Sequence, residues 1–284
     1  MQTVFIAGAS GYLGRHLCAE YQRRGWHVRA LVRDAMRAQH LNADELIEAE
    51  ATQPLTLAGI MDGADLVISA LGITRQTDGL DYWDVDFLAN LNLLDEARRA
   101  KVARFAFIHV LNARRMAHVP MVAAKAAFVL ALQDSDIAST VIAPSGFFSD
   151  MGDFLTMALS GRVWLFGSGK HKINPIHGAD LAEATADAID DETAWLDVGG
   201  PDILTQTDWA KSAFAAVGRP VRIVRLPDWI RRTVLFLLPH LAPRRVHGPA
   251  QFFLTALGLD MVGDPHGTRH LDAHFRTLAD HPQA

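Results

Sequence analysis

Cysteine is almost missing: Cys18 stands alone in 284 residues. No intrachain disulfide can form, and a reducing compartment such as the cytoplasm is expected. Lysine is scarce as well, five of the 27 basic side chains, so each lysine is easy to single out. Basic charge is not in excess. The formal net charge is -5, so no strong positive field advertises nucleic acid and no such partner is expected. Long hydrophobic runs are lacking too. The one near residues 234–238 stops at Pro239, far short of the ~20 apolar residues that a membrane span needs. The first residues reach Gly8 without the basic and extended apolar stretches of a secretory signal, which again points to the cytoplasm. No repeat, low-complexity tract or Gly/Ser linker is visible.

What is present is apolar and ordered. Half of the residues are hydrophobic, enough for one large α/β domain or a core with an appended lobe. Short apolar runs at 4–7, 28–32, 46–49, 66–70, 105–110 and 140–143 read as strands. Helical periodicity fills 11–24, 85–100 and 121–133, with a shorter helix expected at 35–41. Apolar strands alternating with helices predict a parallel sheet wound on both faces. After Pro144 the rhythm breaks. Short strands at 163–166, 172–175 and 221–226, a helix over 180–189 with Asp180 as its cap, and a helix capped by Thr205 predict a smaller, mostly helical lobe. The expected division is 1–145, joined by a seventh strand near 196–198, and 146–284 packed on it.

The first strand runs into Gly8-Ala9-Ser10-Gly11-Tyr12-Leu13-Gly14. Gly8 permits the tight turn, Gly11 lets backbone approach a pyrophosphate, and Gly14 lets the helix sit close to the strand. The amides of the helix start then face the phosphates. A glycine pattern alone is weak, and a turn without ligand is the competing reading. Here it follows a strand and opens a helix inside a β-α-β unit, the context that a Rossmann dinucleotide site requires. The second strand ends in Arg33-Asp34. Arg33 can fork onto a 2'-phosphate, which favours NADP(H), whereas Asp34 or a merely solvated Arg33 favours NAD(H) or neither. NADP(H) is the expected cofactor. Ala70, Leu71 and Gly72 end the fourth strand, and Pro144, Ser145 and Phe147 follow the sixth. These carboxyl ends are where ligands bind in such sheets, although ordinary turns would look alike.

These residues, with Ala30-Leu31-Val32-Arg33, Lys125-Ala126-Ala127-Phe128 and Ala143-Pro144-Ser145-Gly146-Phe147-Phe148, resemble the atypical short-chain dehydrogenase/reductases, and their NmrA-like branch in particular. The run from Asn174 to Ala182, followed by Val198-Gly199-Gly200-Pro201, resembles the divinyl chlorophyllide 8-vinyl reductases. The resemblance implies NAD(P) binding on a Rossmann fold, and reductase activity or cofactor binding without catalysis. It implies Lys125 as the lysine of Tyr-x-x-x-Lys, hydrogen-bonded to the nicotinamide ribose. The tyrosine position holds Met121, and His109 stands near the usual fifth-strand serine. Simple carbonyl reduction is therefore disfavoured, and a conjugated C=C bond is the expected target, with water or a loose donor such as His109 or Tyr82 supplying the proton. A non-catalytic sensor or assembly protein is the alternative.

Three further features complete the reading. His177 is expected to be structural. His266, His270 and His274 recur every four residues, but Pro265 and Gly267 interrupt the helix and no metal is expected. The apolar stretches 229–230, 233–238 and 252–257 lie beside Arg231-Arg232 and Arg244-Arg245. They fit the cover of an apolar small-molecule site, shallow attachment to a membrane surface, or an ordinary lobe core or dimer contact.

Overall fold

A computed structural model of the chain describes residues 1–73 and 79–280. It divides into two compact units, Met1–Ala143 with Ala182–Leu196, and Pro144–Leu181 with Asp197–Ala284. The elements follow in the order β1 (Thr3–Ala7), α1 (Tyr12–Arg23), β2 (His27–Val32), β3 (Glu45–Glu48), β4 (Leu66–Ser69), α2 (Asn90–Arg99), β5 (Arg104–Ile108), α3 (Pro120–Gln133) and β6 (Ala138–Pro144). After β6 come α4 (Gly152–Leu159), β7 (Val163–Phe166), β8 (Lys172–Ile173), α5 (Gly178–Asp190), β9 (Trp195–Gly199), β10 (Leu204–Thr205) and α6 (Gln206–Ala216). The chain then adds β11 (Ile223–Leu226), α7 (Asp228–Leu241), α8 (Arg244–Ala256), β12 (Asp264–Pro265) and α9 (Leu271–Asp280).

Eight strands form one parallel sheet in the order β12-β9-β6-β5-β4-β1-β2-β3. The strands of the first unit are apolar because both sheet faces are covered. On one face Phe5, Val67, Phe105, Phe107 and Val141 pack against Leu93, Leu94 and Ala97 of α2 and Phe128 and Leu132 of α3. Phe128 fits between Phe105 and Phe107, with ring centroids 5.8 and 4.6 Å away. The order reverses between β1 and β4, where open sheets of this kind bind their ligands. The pairings Ala7 with Ser69 and Ser69 with Phe107 align the carboxyl ends of β1, β4 and β5. Gly8, Ala70 and Ile108 therefore lie along one edge.

The second unit has its own core, in which Phe148, Phe154, Leu165, Trp209, Phe214 and Phe275 come together. Thr205 and Asp208 close a reciprocal capping box at the start of α6, as its sequence predicts. The small strands β7 and β11 pair in parallel, and β8 and β10 antiparallel. No helix among the described residues is long and apolar enough to cross a membrane.

Three expectations change. Residues 35–41 form turns, not a helix: Ala38 N–H bonds to Ala35 O and Leu41 N–H to Ala38 O, and Asp34 takes the Arg37 amide. A segment this short cannot repay helix nucleation when a side chain offers its backbone another partner. The 85–100 helix is in two parts, a π-helical turn over Trp83–Ala89 followed by α2. Asp180 is not a cap. It sits in the first turn of α5, buried, and accepts from the amide of Arg269 and from its guanidinium.

Candidate functional site

The glycine loop joins β1 to α1. Gly8 has φ +78°, and a Cβ there would lie 2.8 Å from the Ala70 carbonyl. A Cβ on Gly14 would lie 2.1 Å from Gly8 O. Only glycine allows this turn and this closeness of α1 to the strand end. The Gly11 amide donates to Gly8 O at 3.0 Å, closing the turn. Gly11 is the N-cap residue of α1, which has neither a capping side chain nor an acidic residue in its first turn. Ser10 and Gly11 are exposed, Tyr12 is half-buried and Leu13 is buried. A turn of this shape, at a helix start that carries no side-chain anion of its own, suits a pyrophosphate.

Arg33 follows β2, exposed and without an ion pair among the described residues. Asp34 is committed nearby: Oδ1 accepts from the Arg37 amide at 3.1 Å, and Oδ2 lies 3.2 Å from Arg37 Nε.

The loop after β4 is held from below. Ser69 Oγ donates to Asn90 Oδ1 at 2.5 Å and accepts from the Leu71 amide at 3.3 Å. The Ile73 amide donates to Asp86 Oδ2 at 3.3 Å. Asn90 Nδ2 donates to the carbonyls of Val85 and Asp86, both 3.1 Å away, inside the π-helical turn. Asp86 is 0% exposed. Its Oδ1 has no aligned hydrogen bond and lies 3.3 Å from Lys125 Nζ. Burial pushes the Asp86 carboxyl up, against the pull of Lys125 and the Ile73 amide.

Lys125 stands on α3, one turn after the buried Met121. Its Nζ donates to Ile108 O at 3.2 Å and lies 5.0 Å from the centre of the Phe107 ring. A Cβ on Gly72 would meet Asp86 Oδ1 at 2.6 Å and Lys125 Nζ at 2.9 Å, so the loop after β4 passes directly over the ion pair. The structure thus brings Gly8, Ala70, Gly72 and Lys125 to one edge of the sheet. It adds Asp86 and Asn90, which sequence reasoning missed, and gives Ser69, at the end of β4, its partner Asn90. A usable signal was there: Asp86 and Asn90 share the helical face of Leu93 and Ala97, and polar groups in an apolar stripe mark a buried network.

His109 is buried, with no partner on Nδ1. Burial, and then Lys125, lower its pKa to about 3. It is neutral at pH 7 and holds no spare proton, which removes it as an acid. Tyr82 is also buried, and burial followed by Asp86 pushes its pKa up to about 12.

Pro144 ends β6, and Ser145 and Phe147 belong to the second unit. Ser145 Oγ donates to Asn174 O at 2.6 Å, so its proton is engaged internally. Phe147 bridges to Ile176 through the backbone. In the same unit His177 Nδ1 accepts from the Ala179 amide, as expected of a structural histidine. The three C-terminal histidines diverge: His266 Nδ1 lies near Asp264 O, His270 pairs with Asp202, and His274 packs on Phe148 and His177.

A family model described as NAD(P)H-binding matches residues 8–192. The divinyl chlorophyllide a 8-vinyl-reductase of Zea mays, a chloroplastic protein, is 27% identical over 263 residues, covering 84% of this chain and 65% of that protein. The photosystem II assembly factor Ycf39 of Cyanophora paradoxa is 28% identical over 167 residues, covering 57% of this chain and 52% of that protein. The chain therefore spans less than two thirds of the length of these curated relatives. Among solved structures, the NADPH-dependent quinone oxidoreductase QOR2 of Escherichia coli, complexed with NADPH, superposes with TM-score 0.77 at 18% identity, covering 97% of this chain and 99% of that one. A nucleoside-diphosphate-sugar epimerase of Staphylococcus aureus gives TM-score 0.70 at 16% identity, covering 99% and 96%. Both share the fold.

Proposed function

The chain belongs to the NAD(P)H-binding family, and from that premise we propose that it is an NADPH-dependent reductase of a conjugated apolar small molecule. Residues 1–145 hold the dinucleotide and 146–284 select the substrate. The observation that carries this reading is Lys125, braced on the buried Asp86, with Met121 where the usual tyrosine would stand.

The 8–14 loop takes the pyrophosphate, with Gly8, Ser10, Gly11, Tyr12, Leu13 and Gly14 in contact. Arg33 takes the 2'-phosphate. Ala70, Leu71 and Gly72 flank the cofactor, and Lys125 holds the nicotinamide ribose. NADPH supplies a hydride when bound. Asp86 and Ile108 O fix the Lys125 ammonium, and the buried Phe107 beneath it keeps water from that side. Met121 has no proton to give, His109 is neutral at pH 7, and burial weakens Tyr82 as an acid. A ketone would develop an alkoxide that needs a positioned donor. A conjugated C=C bond needs none: one carbon accepts the hydride, charge spreads over the conjugated system, and water protonates the other carbon. Relatives named for vinyl reduction support this choice.

The same lack of an acid favours a second reading, a binding protein that senses or carries NADPH without turnover, and the similarity to an assembly factor supports it. NADPH oxidation with conjugated enones and with simple ketones separates the readings. Enones should react and ketones should not. Lys125→Ala should lower kcat by about 10²-fold, and Asp86→Asn by less, through misplacement of the ribose. Fast ketone reduction, or full activity of Lys125→Ala, overturns the proposal. Tight NADPH binding with no turnover of any substrate selects the sensor.

A further inference from the structure

The second unit carries a charge anomaly that cofactor binding does not use. Residues 209–259 contain eight Lys and Arg against a single carboxylate, Asp228, although acids outnumber bases 32 to 27 in the whole chain. Helices α7 and α8 lie in this segment and pack on each other. Arg231 ties them together. It is buried, its Nε donates to Asp228 Oδ1 at 2.7 Å, and its Nη1 donates to Leu254 O at 2.8 Å. A Cβ on Gly258 would strike the same guanidinium. The inward face of α7 is therefore settled.

The outward face is apolar. Trp229, Phe236, Leu237 and Leu241 are 64%, 73%, 40% and 77% exposed. Their spacing of i, i+7, i+8 and i+12 puts them on one side of a helix. Thr233 and His240 complete that side, and the exposed Arg232 flanks it. The side chains of Arg244 and Arg245 lie outside the described residues. Large exposed apolar side chains in a line, inside a basic segment, mark an interaction surface.

We propose that this face of α7 docks on an anionic lipid surface. The helix has 14 residues, about 21 Å, too short to cross a bilayer but long enough to lie in its interface with the rings and leucines among the acyl chains. Arg232 beside the stripe, which shares Asp228 with Arg231, and the basic segment around it add attraction for the phosphates and carboxylates of an anionic leaflet. A second copy fits less well, since it would cover the leucines but leave the basic excess of the segment unanswered. Nucleic acid would reward the arginines but leave the leucines exposed to water.

The proposal does not depend on the dinucleotide, so the test uses intact protein without substrate. Flotation with neutral phosphatidylcholine vesicles is compared with vesicles holding phosphatidylserine. Protein should float with the anionic vesicles and much less with the neutral ones. Phe236→Asp combined with Leu241→Asp should abolish flotation, and Arg232→Ala should weaken it about fivefold. These side chains are exposed, and an unchanged thermal midpoint certifies the variants. Three results overturn the proposal: protein that stays free of anionic vesicles, a double variant that floats as well as the parent, or binding to single-stranded DNA in preference to vesicles.

Discussion

Arg33 and Asp34 stand side by side after β2 and would choose different dinucleotides. The structure separates them, because Asp34 caps its own turn and pairs with Arg37 while Arg33 is left exposed. A charge-assisted contact from Arg33 to a 2'-phosphate is worth about 1.5–3 kcal/mol. Arg33→Ala should therefore cut the preference for NADPH over NADH by at least about tenfold, read as the ratio of dissociation constants. Equal affinities in the unmutated protein would refute this role. Gly8 and Gly14 could be read from spacing, because local geometry dictates glycine in such a turn, whereas Lys125 was implied by the family resemblance. The partners of Lys125 could not, since Asp86, Gly72 and Ile108 meet it only through the sheet.

At the scale of elements, β1, β2, β4, β5 and β6 were legible because each is a short apolar run, whereas β10 and β12, two residues each, were not. The cap of α6 was legible because Thr205 and Asp208 interact within one turn. The π-helical turn at Trp83–Ala89 was not. Its extra residue per turn is tied by Asn90 to the carbonyls of Val85 and Asp86, and the buried network around Ser69 holds it. Such turns recur at functional sites, and this one carries Asp86. Helix α1 is pressed on the end of β1 through Gly14. Gly14→Ala should push the helix off, cost about 1–3 kcal/mol of stability, and weaken NADPH binding at least about tenfold. Denaturant titration and a fluorescence titration with NADPH measure the two effects. A variant of parental stability and affinity would mean that the close approach is not needed.

At the scale of the whole molecule, two buried groups, His109 and Asp150, should answer acid in opposite senses. His109, in the first unit, has a pKa lowered by burial and then by Lys125, to about 3 from 6.5. Between those values the unfolded chain binds more protons, so stability falls as pH drops below about 6.5. Asp150, in the second, has a pKa raised to about 6 from 3.8, with burial first among the causes. There the folded chain binds more protons, so stability falls as pH rises through this range, and the loss is complete above it. His109→Gln should flatten the acid loss between pH 6.5 and 4. Asp150→Asn should raise the melting temperature at pH 7 by a few degrees, on the order expected for 1–2 kcal/mol, with little change at pH 4. Calorimetry across pH checks both, and parallel pH profiles for parent and variants would refute them. The sequence by itself determined the parallel sheet, the dinucleotide loop and the charge asymmetry of residues 209–259, because periodicity, turn chemistry and composition act within short stretches of chain. Only the tertiary structure decided which ionisable groups keep their charge and which lysine meets which carboxylate. Desolvation and ion pairing depend on what surrounds a side chain, and those neighbours arrive from strands and helices distant in sequence.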